Sequence, residues 1–269
     1  MPVGDCQRGF AAAAEADGVQ LGPSRLPWIN QRGHLGLPPE GRVARAPLEA
    51  IFIALGGDSA AQAAKRTTPL TGDFTEASTG TLIEIDESQH FTSFRALSLR
   101  LYPSDVRVSF DLNHYMDLCR ELAPRSDRYR ASKAAVGFGP GGRQRQRAYH
   151  DALRDFAAPA CGRPPVIRVA VLDNDGAGAY NRERDRIRDL LADGCQQGAP
   201  DSDPPDLAAS IEELRSLLQA FDDVETEAMS APFHAHAYNE LDIAGRAVID
   251  AFDAQARLES PTVDPRGRG

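Results

Sequence analysis

The sequence predicts an α/β fold, and three observations predict it: a helical apolar pattern before Gly56, a pair of short strands between Leu70 and Asp86, and a second helix and strand between Arg143 and Leu172. Residues 1–42 are rich in Gly, Pro and Ala with weak periodicity, and read as an irregular extension with a short helix near Phe10 to Ala16. A helix is expected from Ala46 to Leu55, with Pro47 in its first turn and Gly56-Gly57 at its stop. Leu70-Thr-Gly-Asp73-Phe74 and Thr81-Leu-Ile-Glu84-Ile-Asp86 flank the turn-like Ser78-Thr79-Gly80, a hairpin pattern that sets Asp73 against Glu84. Phe94 to Tyr102 suits either a further strand or a helix, and Asn113 to Leu122 suits a helix. Gly137 to Gly142 is a loop, followed by a strong helix from Arg143 to Phe156 with Tyr149, Leu153 and Phe156 on one face. Val166 to Leu172 is the best strand, closed by a turn at Asp173-Asn-Asp-Gly176. A charged helix follows over Arg182 to Ala192.

The expected organisation is an N-terminal extension 1–42, an α/β core 43–193 with an insertion at about 92–142, a linker 194–206, a helical C-terminal region 207–259 and a disordered tail 260–269. Net charge is −9 for 269 residues, which argues against a protein that coats nucleic acid by bulk charge. The distribution is uneven: residues 1–90 carry −4, residues 91–168 carry +7 and residues 169–269 carry −12. Thirteen of the fourteen basic residues in the middle block are Arg, whose planar fork suits phosphate, although a solvated helical surface also explains such a block. The four cysteines lack the paired spacing of a zinc site or a disulfide frame, so free thiols in a cytoplasmic protein are expected. No apolar run approaches the length of a bilayer span, and no membrane partner is expected.

The strand from Leu82 to Asp86 carries the chemistry. Alternate side chains face opposite sides, so Ile83 and Ile85 enter a core while Glu84 and Asp86 share the other face. Two adjacent carboxylates repel unless something positive lies between them, and a hard divalent cation held by oxygens is one answer. The same acids also suit the solvent-facing side of a half-exposed sheet, and the strand alone leaves both readings open.

In the order helix with Glu49, hairpin with Asp73, strand with Glu84-Ile-Asp86, then Gln89-His90, a helix around Gln146 to Arg154 and a strand from Val166, the chain resembles the restriction-endonuclease-like PD-(D/E)xK superfamily. The similarity is nearest to its very-short-patch-repair-like branch and uncharacterised relatives, and covers roughly residues 44–175. It implies a mixed sheet flanked by helices, with the helical C-terminal region as an addition. It further implies a metal-dependent nuclease, an endonuclease hydrolysing phosphodiester bonds of DNA by preference. Asp73 and Glu84 would hold Mg²⁺ or Mn²⁺, and Asp73, Glu84, Asp86 and His90 would form the catalytic set, with Glu49 and Gln89 in support. His90, with an ordinary pKa near 6.5, could accept a proton at neutral pH. Two departures stand out: Asp86 replaces the usual lysine, with Lys133 or His90 as substitutes, and the insertion at about 92–142 is long enough to bind substrate or close the site. Lys133, Arg143, Arg145 and Arg147 are the expected nucleic-acid contacts. The alternative is a catalytically inactive protein of this fold that binds nucleic acid or a protein partner through its Arg-rich insertion. Homo-oligomerisation stays open.

Overall fold

The computed structural model describes residues 4–197 and single helical positions between 207 and 255. The chain divides into two compact units, Met1–Pro200 and Asp201–Gly269. The first holds every element named below: α1 Asp5–Ala16, β1 Leu21–Asn30, α2 Arg45–Ala54, α3 Ser59–Ala63, β2 Pro69–Glu76, β3 Leu82–Glu87, α4 Ser93–Arg100, α5 Leu112–Ser126, α6 Arg143–Ala160, β4 Ile167–Val171 and α7 Gly176–Gln197. In the second unit the described residues, Leu207, Ile211 and Phe252 among them, are helical. Most of the two C-terminal helices, positions 198–206 of the expected linker and the tail lie outside the described residues. No helix among the described residues is long and apolar enough to cross a membrane.

Four strands in the order β1-β2-β3-β4 make a mixed sheet. The first two pairs are antiparallel, whereas β3 and β4 run parallel, joined through α4, α5 and α6. The alternation expected of β3 holds. Ile83 and Ile85 join Ile167, Val169 and Val171 in a core closed by Cys6, Phe10 and Ala14 of α1 and by Tyr180 and Ile187 of α7. Burying each such aliphatic side chain contributes roughly 1.5–3 kcal/mol. Leu82 enters the opposite core, with Leu48 and Phe52 of α2, Leu99 of α4, Tyr115 of α5 and Tyr149 and Leu153 of α6. Glu84 and Asp86 sit on that same side, and both are buried.

Two expectations change and one open reading is decided. Residues 1–42 are not an irregular extension, because they supply α1 and strand β1. The strand was hidden by Pro23 and Pro27, which an edge strand tolerates because one side of it lacks a partner for the N–H. The ambiguous segment 94–102 is helical, and Thr92 caps α4 by accepting from the Arg95 N–H. Finally, α7 runs to Gln197, four residues into the expected linker.

Candidate functional site

A cavity of about 220 Å³ opens between the β2–β3 hairpin and α6. One wall is Thr71, Gly72, Asp73, Glu84 and Ile85 of the sheet, with Gln7 of α1; the other is Arg143, Arg147, His150, Asp151 and Arg154 of α6, with His90 beside them. Antiparallel pairing, which sets Phe74 opposite Ile83, brings the two hairpin acids together. The Asp73 N–H donates to Glu84 Oε1 at 3.2 Å, and the Ile85 N–H donates to Asp73 Oδ2 at 2.8 Å. Gly72 makes this approach possible, since a Cβ there would lie 2.5 Å from Glu84 Oε1.

The hairpin acids are poorly compensated. Burial pushes the Glu84 carboxyl up to about 7, with Arg154 opposing the rise and Asp73 adding to it. Burial raises Asp73 as well, against the Ile85 N–H. For Glu84 the nearest cation among the described residues is Arg154, whose Nε lies 3.4 Å from Glu84 Oε1 without hydrogen-bond alignment, while His90 and then Arg154 oppose the rise of Asp73. Among the described residues, hydrogen bonds engage one oxygen of each acid, Asp73 Oδ2 and Glu84 Oε1. The Gln7 Oε1 atom is likewise buried without a partner.

Asp86 lies in a different environment. Its carboxylate accepts from Arg168 Nη1 at 3.1 Å on both oxygens and from the Tyr115 hydroxyl at 3.2 Å. Arg168, fully buried on β4, also donates through Nε to Asp155 Oδ1 at 2.7 Å and through Nη2 to the Asp151 carbonyl at 3.0 Å. Asp155 Oδ2 accepts from Tyr102 at 2.6 Å and from Arg95 at 3.0 Å. Although burial would raise it, Arg168 and His90 hold Asp86 below the usual carboxylate range. Its positive counterpart within the chain is thus the Arg168 guanidinium.

His90 Nδ1 stands 3.1 Å from Asp86 Oδ1 and 3.6 Å from Asp151 Oδ2, an electrostatic contact without hydrogen-bond alignment to either. Burial would lower its pKa, but the two carboxylates outweigh burial and bring it up to about 9. These two carboxylates favour the imidazolium, which works against the general-base role expected of His90. His150 is the opposite case: burial, reinforced by Arg154 and Lys65, pushes it down to about 3, so it is a neutral imidazole with Nε2 buried and unpartnered.

The other expected residues divide. Arg143 and Arg147 line the cavity. Arg145 points elsewhere, donating to the Phe138 and Pro140 carbonyls and bracing the glycine loop. Lys133 is exposed and its carbonyl accepts from the Arg143 N–H, while Glu49 is exposed on α2 and lies outside the cavity lining. Gln89 offers its carbonyl to Arg147 Nη1 at 3.0 Å, and its amide donates to Glu87. The insertion serves the buried network through Arg95, Tyr102 and Tyr115.

Sequence reasoning missed Gln7, His150, Asp151, Arg154 and Arg168. A signal existed for most of them. Arg143, Arg147, His150 or Asp151, and Arg154 recur at helical spacing on α6, whereas Arg145 falls off that face. Arg168 interrupts the apolar run of the best strand, where a lone buried cation demands carboxylate partners.

No curated protein and no solved structure matches the chain. Residues 50–192, just over half of the chain, match the model of a family of unknown function, DUF7255. That span includes every cavity residue except Gln7. The chain belongs to this family of unknown function, DUF7255.

Proposed function

We propose that the protein is a metal-dependent nuclease of restriction-endonuclease-like fold that hydrolyses phosphodiester bonds, with DNA the favoured substrate. The observation that carries this reading is the cavity itself, where two adjacent, undercompensated carboxylates, Asp73 and Glu84, face Arg143 and Arg147 across about 220 Å³. The order of helix, hairpin aspartate, Glu-x-Asp strand, polar helix and strand supports it further. The residues suit Mg²⁺ or Mn²⁺: each acid keeps one oxygen free of hydrogen bonds among the described residues, and their raised pKa values are a cost that a divalent cation would offset. Asp73 and Glu84 would hold such an ion, which when bound would supply an activated water and offset charge on the phosphate. Arg143 and Arg147 bind phosphate oxygens, which gives affinity without sequence information. Arg154 holds Glu84 in place between sheet and helix. His150 offers a neutral ring nitrogen to the bound group.

The test is cleavage of supercoiled plasmid, linear duplex, single-stranded DNA and RNA with Mg²⁺ or Mn²⁺, comparing wild type with Asp73→Asn and Glu84→Gln. Metal-dependent cleavage lost in both variants is the expected result. One observation favours the non-catalytic alternative: Asp86, where the motif lysine would stand, is committed to Arg168, and Lys133 lies outside the cavity. Salt-dependent DNA binding by Arg143 and Arg147 without cleavage under any of these conditions would decide for that alternative.

A further inference from the structure

We infer that Asp86, His90 and Asp151 form a second metal site at one side of the cavity, which His90 and Asp151 themselves line, suited to a borderline divalent cation such as Zn²⁺ or Co²⁺. It is distinct from the Asp73–Glu84 pair and does not depend on the nuclease reading. The three residues come from three places, β3, the 3-10 turn Ser88–His90 that follows it, and α6. One potential ligand atom from each lies within 4.8 Å of the others. Ligands 2.0–2.2 Å from a common ion stand roughly 3 to 4 Å apart. The observed separations from His90 Nδ1, 3.1 Å to Asp86 Oδ1 and 3.6 Å to Asp151 Oδ2, fall in that range.

Two further observations point to a ligand. Asp151 is 2% exposed, yet its Oδ2 has no hydrogen-bond partner, and neither does His90 Nδ1. Both atoms are turned to the same spot. Metal binding would displace the His90 proton, which leaves the buried carboxylates Asp86, Asp151 and Asp155 facing Arg95 and Arg168, with Arg154 3.6 Å from Asp151 Oδ1 and shared with Glu84. Asp155 is engaged by Arg95, Tyr102 and Arg168, so Asp86 and Asp151 are the carboxylates that would meet the ion in place of that proton. Arg168 and Tyr115 also orient Asp86 from behind, the support a metal-ligating carboxylate needs. One imidazole nitrogen with two carboxylate oxygens selects Zn²⁺, Mn²⁺, Fe²⁺ or Co²⁺ over Mg²⁺, which keeps to oxygen and water. An ion here would tie the sheet to α6 at that side of the cavity.

The experiment is titration of the chelator-treated full chain with Co²⁺, followed by visible absorption, and with Zn²⁺ by calorimetry. With Mg²⁺ in excess to occupy the oxygen-only Asp73–Glu84 pair, one tight equivalent should bind wild type. His90→Ala and Asp151→Asn should each weaken binding at least about tenfold, while Asp73→Asn and Glu84→Gln leave it unchanged. Thermal melts of the metal-free variants establish that each is folded, and Zn²⁺ should raise the melting temperature of wild type but not of a folded His90→Ala chain. Absence of Co²⁺ and Zn²⁺ binding by folded wild type overturns the inference. So does binding that survives in both His90→Ala and Asp151→Asn, or that is lost in Asp73→Asn. Because Mg²⁺-supported cleavage is a separate readout, a chain that binds Co²⁺ here but cleaves nothing removes only the nuclease reading.

Discussion

Glu84 and Asp86 are two residues apart on one face of β3, yet they inhabit opposite electrostatic worlds. Asp86 is enclosed by a guanidinium, an imidazole and a tyrosine hydroxyl, and its ionised form is favoured. Glu84 is equally buried, but its nearest cation among the described residues is a misaligned Arg154, and its ionised form is disfavoured. Charge compensation inside the chain holds the first ionised and fixed in orientation. Its lack marks the second as a group held ready for something from outside the chain.

The largest test of this contrast is Arg168→Met. Removing the cation strands three buried carboxylates, and we expect a loss of about 3–5 kcal/mol in denaturant unfolding, as for other broken buried pairs. A loss below about 1 kcal/mol would remove the distinction between the two acids.

The next effect is pH dependence in metal-free protein. His90 has its pKa raised on folding, so its contribution is fully present below the ordinary histidine value of 6.5 and is lost as pH rises through about 9. Stability should therefore fall by an amount of the order of 3 kcal/mol across that window. Urea unfolding of wild type and His90→Gln at pH 6 and 9.5 checks this, and the variant should show a flatter profile.

Glu84→Gln should act in the opposite sense to Arg168→Met. Because folding raises the Glu84 pKa from 4.5 to about 7, ionisation costs stability as pH rises through that window, and the neutral amide avoids the cost. At pH 8 the variant should gain roughly 1–3 kcal/mol while losing cleavage. A destabilised variant at pH 8 would place Glu84 with the compensated acids instead.

The smallest effects on stability belong to the cavity arginines. Arg143→Gln and Arg147→Gln should change unfolding free energy by no more than about 0.5–1 kcal/mol. Each should reduce the dependence of DNA affinity on salt by about one counterion. Fluorescence anisotropy at several salt concentrations reads that slope, and an unchanged slope in both variants would take phosphate binding away from this face of α6.

Much of this molecule was legible before any coordinates. Local patterns determined the α/β class, helix α2 with its Gly56-Gly57 stop, the hairpin that pairs Asp73 with Glu84, helix α6 and strand β4, because each is specified by residues adjacent in sequence or by a single periodicity. β1 was not legible, because prolines suit only an edge and edge position is a property of the whole sheet. The roles of the polar residues were decided by tertiary structure alone. The sequence placed Glu84, Asp86 and His90 within seven residues, but the charges that separate their behaviour come from Arg154 and Asp151 on α6 and from Arg168 on β4, more than sixty positions away. A carboxylate's readiness to bind or to brace depends on the cation within about 4 Å of it, and only folding sets that distance.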